Sequence, residues 1–140
     1  MMAVRGFVTV MVAWLLGSTA CGGSGLRPGD EVAPGVAFLG TREVSFRVDR
    51  DHMVIGARAG RFSAVRIEVA DAPLEMYDIR IVFGDGSIFS PETRLQFHEN
   101  DHSRRIDLPG GQRVIREITF LYRSDRPALG RARVQVFGVR

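Results

Sequence analysis

From Val36 onward, apolar and polar residues take turns along the chain. Val44, Phe46 and Val48 alternate with Ser45 and Arg47, and Val65, Ile67 and Val69 with Arg66 and Glu68. Tyr77, Ile79, Ile81 and Phe83 alternate with Asp78 and Arg80, and Ala132, Val134 and Val136 with Arg133 and Gln135. A period of two sends one set to each face of a strand. Met53 to Ile55, Leu95 to Phe97 and Ile106 to Leu108 read as shorter strands. Between them stand turn signals: Gly56 and the Ala57 to Gly60 stretch, Gly84-Asp85-Gly86, and Pro109-Gly110-Gly111. Val114, Ile118, Phe120 and Tyr122 share a face of one long strand, with Arg116 a misfit on it. Ile115 and Leu121 fall on the opposite face, which predicts a central strand covered on both sides. No apolar stripe of helical period runs for about 12 residues after residue 21. Strands recurring every 8–12 residues or so with turns between them predict an all-β fold, a single antiparallel β-sandwich of about eight strands over residues 36–140.

The start of the chain follows a different pattern. Met1 to Arg5 is short and positive, Gly6 to Gly17 is apolar except for Thr9, and Ser18, Thr19 and Ala20 are small. Charge, an apolar core and small residues before a cut mark an export signal over residues 1–20. The apolar run is too short for the roughly 20 residues that a spanning helix needs. With Cys21, the only cysteine, directly after the cut, the segment resembles a bacterial lipoprotein signal. That resemblance implies a lipid on Cys21 and a membrane contact made through it. The lipoprotein pattern usually has Leu where Ser18 stands. A plain secretory signal with the same cut is the alternative, and it gives a soluble periplasmic or secreted protein. Gly22, in place of the Asp that often retains lipoproteins at the inner membrane, implies an outer-membrane address facing the periplasm.

Residues 21–35 are rich in Gly and Pro and lack apolar periodicity, which predicts a flexible tether. A coil of about 14 residues spans roughly 20 Å. The 140-residue chain without its leader is one domain of ordinary size. All 19 basic residues are Arg, against 16 Asp and Glu, and the formal net charge is +3. So small an excess does not make a nucleic-acid binder. A single cysteine allows no disulfide within the chain, so packing and the backbone ladder must hold the fold.

The densest set of metal-ligating side chains is His98-Glu99-Asn100-Asp101-His102, in which His98, Asp101 and His102 are candidate ligands. The stretch reads as a loop between strands, where a His pair four apart does not converge as it does on a helix; a solvated loop is the plainer reading. Gly84-Asp85-Gly86-Ser87 lacks the repeated acids of a calcium loop and reads as a hairpin turn. Arg104-Arg105 and Arg123-Ser124-Asp125-Arg126 have Asp101, Asp107 and Asp125 beside them and read as solvated turns rather than an anion site. Phe62 reads as core rather than a sugar-stacking platform, and the single tryptophan, Trp14, leaves with the leader. His52 reads as a turn histidine rather than a base. Gly-x-Ser-x-Gly and phosphate-loop motifs are absent, and no cofactor is called for.

Several stretches resemble a family of short exported bacterial proteins catalogued as a domain of unknown function. They are Leu39-Gly40 through Val48, Gly60 to Ile67, Asp78 to Gly86, Arg105 to Gly111, and Arg113 to Ile118. The resemblance covers most of residues 39–139. It implies an all-β fold and an envelope address, and it supplies no activity or site.

The expectation from sequence is a lipid-anchored, non-catalytic envelope module that contacts another envelope protein or a glycan. A carbohydrate- or peptidoglycan-binding module is the alternative. A metal-dependent hydrolase built on the His98 to His102 loop is a third reading.

Overall fold

The computed structural model describes residues 25–44, 49–91, 94–98, 100–123 and 131–140. Residues 1–20, read above as a leader, Cys21, Phe46, Val48, Glu99 and Ser124-Asp125-Arg126 lie outside the described residues. Twelve strands run in order: β1 Glu31–Ala33, β2 Val36–Val44, β3 Asp49–Val54, β4 Arg61–Phe62, β5 Ala64–Ala70 and β6 Leu74–Phe83, followed by β7 Ile88–Phe89, β8 Leu95–Phe97, β9 Asp101–His102, β10 Ile106–Asp107, β11 Arg113–Arg123 and β12 Ala132–Val139. One turn of 3-10 helix, Ala57–Ala59, joins β3 to β4. The excess over about eight strands is made of two- and three-residue pieces.

The strands form two antiparallel sheets that face each other and do not close into a barrel. The first has the order β1-β2-β12-β5-β10, with β9 also on β5. The second has the order β3-β11-β6-β7, with β4 on β11 and β8 on β6. Leu39, Ile67, Val134 and Val136 from the first sheet meet Ile79, Ile81, Ile115, Ile118 and Phe120 from the second in one buried core. Phe62 lies in that core with no exposed surface, as expected of a large aromatic. Its ring occupies the space where a Cβ on Gly138 would stand, and Met53 Sδ lies 2.5 Å from where one on Gly40 would stand. Both glycines are therefore places where one sheet makes room for a large side chain of the other.

β11 is central, between β3 and β6, as its sequence predicts. Two expectations about faces need correction, both because of bulges. The register between β11 and β6 shifts at Ile115/Glu117 and at Leu121/Tyr122. An extra residue turns every side chain beyond it to the other face. Ile115 is therefore in the core, Arg116 is exposed at the bulge, and Val114 is half-buried. At the second bulge Met76 is buried where Tyr77 was expected, and Tyr77 is half-exposed beneath the guanidinium of Arg94 at 4.6 Å.

Pairing begins early. Gly29 N–H donates to the Phe38 carbonyl at 2.7 Å, Phe38 N–H to the Asp30 carbonyl at 2.8 Å, and β1 pairs with β2. The first sheet thus starts inside the Gly- and Pro-rich segment. Among the described residues no helix is long and apolar enough to cross a membrane.

Candidate functional site

Every strand of the second sheet sends one set of side chains into the core, so the other set faces outward. Register fixes which outward side chains are neighbours. Thr119 of β11 stands between His52 of β3 and Arg80 of β6. Leu121 stands between Arg50 and Asp78, and Glu117 between Val54 and Val82. Arg50, His52, Asp78, Arg80, Thr119 and Leu121 line a shallow groove of about 310 Å³ across the three strands.

The groove has a defined polar centre. His52 Nε2 lies 3.4 Å from Glu117 Oε2, and its Nδ1 lies 3.4 Å from Thr119 Oγ1. Glu117 and Thr119 therefore bracket the imidazole and fix its plane. Arg42, from β2, reaches over the edge of β3 and donates to the His52 carbonyl at 3.1 Å. Arg80 is exposed and has no carboxylate or hydrogen-bond partner among the described residues. Donors (Arg80, His52) and acceptors (Asp78, Glu117) thus lie side by side with a hydroxyl between them, an arrangement suited to ligands with several hydroxyl or carboxylate groups.

A second polar cluster sits at one end of the sandwich. Arg113 donates to the Pro109 carbonyl at 2.9 Å, to Asp85 Oδ2 at 2.9 Å and to Ser87 Oγ at 2.6 Å. Its guanidinium lies 3.9 Å from the centre of the Phe83 ring. The turn residues Gly84-Asp85-Gly86 and Pro109-Gly110-Gly111, far apart in sequence, are tied together by this one side chain. Hydrogen bonds from the Ser87 hydroxyl and amide, followed by Arg113, hold the Asp85 carboxyl below its ordinary value. Asp85 is therefore engaged as a hairpin brace. Beside it Arg61, Phe83, Asp85 and Arg113 line a recess of about 430 Å³.

Of the His98 to His102 stretch, Asp101–His102 forms β9, and His98 and Asn100 precede it. Asp101 uses both carboxylate oxygens inside this stretch: Oδ1 accepts the His102 N–H at 2.8 Å and Oδ2 accepts the His98 N–H at 3.2 Å. Those amides hold its carboxyl below the ordinary value, His102 first. Asn100 adopts φ 58°, a left-handed turn residue. Among the described residues, no three His, Cys, Asp or Glu side chains are placed to share a metal ion.

Of the residues singled out from sequence, His52 lies in the groove, and Arg105 pairs with Asp107 at 2.8 Å. The sequence points to neither Arg80 nor Thr119 as a site residue. Each is the polar member of an alternating strand, and only the strand order brings them together.

A model of the family described as a domain of unknown function (DUF2541) matches residues 12–138. No curated protein matches the chain. Among solved structures, it is similar to one from a structural and functional characterization of Pseudomonas aeruginosa AlgX, with 12% identity and a TM-score of 0.43. That match covers 71% of this chain and 26% of the other, so the chain spans about a quarter of that protein's length.

Proposed function

The chain belongs to the DUF2541 family, and we propose from there that it is an exported, lipid-anchored envelope module without catalytic activity. In this reading Cys21 carries the lipid, and the outward groove of the second sheet contacts the partner. One observation carries it: an apolar run of signal length ends in Ser18-Thr19-Ala20 directly before the only cysteine. Two or more acyl chains give stable attachment without a protein span.

The non-catalytic part of the proposal rests on how the polar side chains are used. Asp85 and Asp101 are spent on turns. His52 sits in an open groove, 49% exposed, and its contacts to Thr119 and Glu117, both 3.4 Å, are longer than the roughly 2.6–3.2 Å that pairs a nucleophile with its base.

The test is metabolic labelling with radioactive palmitate in a bacterial host, followed by fractionation. The expected result is label on the wild-type chain in the membrane fraction, and an unlabelled Cys21→Ser chain in the soluble fraction. Unlabelled, freely soluble wild-type protein overturns the reading.

A glycan is the second reading for the partner, favoured by the neighbouring donors and acceptors of the groove. Sedimentation with peptidoglycan sacculi checks it. The folded wild-type chain is expected to pellet and Arg80→Gln to pellet less; equal and negligible pelleting of both removes it.

A further inference from the structure

All the strand ends on one side of the sandwich meet at a single end of the molecule. Residues 29–36, 55–63, 84–87, 107–113 and 139–140 lie there, as the pairings of β2 with β12, β12 with β5, β5 with β10, and β11 with β4 require. The amino-terminal segment arrives at the same end. Gly29 is seated on the 3-10 turn: a Cβ at Gly29 would lie 2.7 Å from the Ala59 Cα.

That contact brings the backbone of three arginines to one end of the sandwich. Arg27 lies two residues before Gly29, and Arg58 and Arg61 flank Ala59. Each Cα is thus within about 7 Å, along the chain, of the Gly29 and Ala59 pair. All three are exposed. The acids of this end are already engaged. Asp30 accepts the Arg27 backbone N–H at 2.7 Å, Glu31 lies 3.6 Å from Arg140, Asp85 holds Arg113 at 2.9 Å, and Asp107 holds Arg105 at 2.8 Å. Among the described residues, the guanidiniums of Arg27, Arg58 and Arg61 meet no carboxylate. Leu26 and Val32, 50% and 43% exposed, stand at the same end.

We propose that this end of the sandwich lies on the bilayer and that Arg27, Arg58 and Arg61 bind the phosphate groups of anionic lipids. The occupant follows from the chain that precedes Gly25 and from charge. The proposal rests on the lipid anchor: only residues 22–24 separate Cys21 from Gly25, so an acylated Cys21 keeps Gly25 within about 14 Å of the membrane surface. A tether of that length lets the three cations come down to the surface, whose field acts over a Debye length of about 8 Å. Guanidinium matches phosphate in a planar fork, and Leu26 is placed to enter the interface. The groove of the second sheet runs across the side of the molecule and stays clear for the partner.

The experiment uses the mature chain from residue 21 onward with Cys21→Ser, which lacks the acyl group, in co-sedimentation with vesicles of phosphatidylcholine alone or with about a third phosphatidylglycerol. The expected result is binding only to the phosphatidylglycerol vesicles, lost at high salt. Each basic residue near such a surface is worth about fivefold in affinity. R27Q/R58Q/R61Q is therefore expected to weaken binding more than tenfold, and R27K/R58K/R61K to retain most of it. R66Q/R104Q/R133Q removes the same charge elsewhere and is expected to bind much as the Cys21→Ser parent does. Equal loss in the two Gln triples, or no preference for phosphatidylglycerol, overturns the proposal. Acylation of wild-type Cys21 is read separately by mass. An acylated chain whose Cys21→Ser form ignores phosphatidylglycerol sinks the surface and spares the anchor; an unmodified chain that still binds through the three arginines does the reverse.

Discussion

At the residue scale, the fold depends on a few side chains that no neighbour can replace. Ser103 is one: it accepts the Ile67 N–H at 2.9 Å through Oγ and donates its own N–H to the Ile67 carbonyl at 2.7 Å. It carries the sheet across the gap between β9 and β10, and it is 5% exposed. Ser103→Ala leaves a buried amide without a partner, at an expected cost of about 1–3 kcal/mol in denaturant unfolding. Phe62→Ala empties the space under Gly138 and is expected to cost about 3–5 kcal/mol. Acid should act through Asp85 and Asp101. Both carboxyls are held below the ordinary value of 3.8 by hydrogen bonds made in the folded state. A lowered native pKa gives stability that is present above that value and lost as the pH falls through the native one. Denaturant midpoints are thus expected to hold down to about pH 4 and to fall below it, and D85N/D101N is expected to show a shallower fall over the same range. Burial of Phe62 was legible in the sequence, because a large aromatic beside an alternating run has nowhere else to go. The role of Ser103 was not, because it depends on which strand lies opposite.

At the element scale, alternation revealed the strands and hid the bulges. A bulge adds one residue, and nothing in local composition separates an added residue from a paired one. Arg116 was the single hint: a charge on an otherwise apolar face marks the slip that sends Ile115 inward. The turn signals at Gly84-Asp85-Gly86 and Pro109-Gly110-Gly111 were also legible, while their union through Arg113 waited on the fold. Arg113→Gln is expected to free the β6–β7 hairpin. Amide exchange at Ser87 and Phe83 should speed up, with a loss of about 1–2 kcal/mol in global stability. Unchanged protection there would show that the turn itself, and not the arginine, holds the hairpin. The free edge of β3 is guarded by Arg42, which occupies the His52 carbonyl.

At the scale of the whole molecule, two polar regions have separate places. The groove of Arg50, His52, Asp78, Arg80, Thr119 and Leu121 crosses the broad outer face of the second sheet. The Arg27, Arg58 and Arg61 group caps the end where the amino-terminal segment enters. The proposed leader and anchor rest on the pattern of the first 21 residues alone; the direction in which a tethered sandwich would hang was not legible there, because it depends on the early start of the first sheet at Gly29. In the proposed arrangement that start shortens the free length between Cys21 and the domain and would set one end toward the lipid. The account as a whole depends on what happens at Cys21. The most direct measurement is the mass of the amino-terminal peptide of the mature protein, taken from the membranes of a bacterial host. The account predicts a chain that begins at Cys21 and carries a diacylglyceryl group on its sulfur. A mature chain that begins at Cys21 with a free thiol, or one that retains Met1, contradicts it.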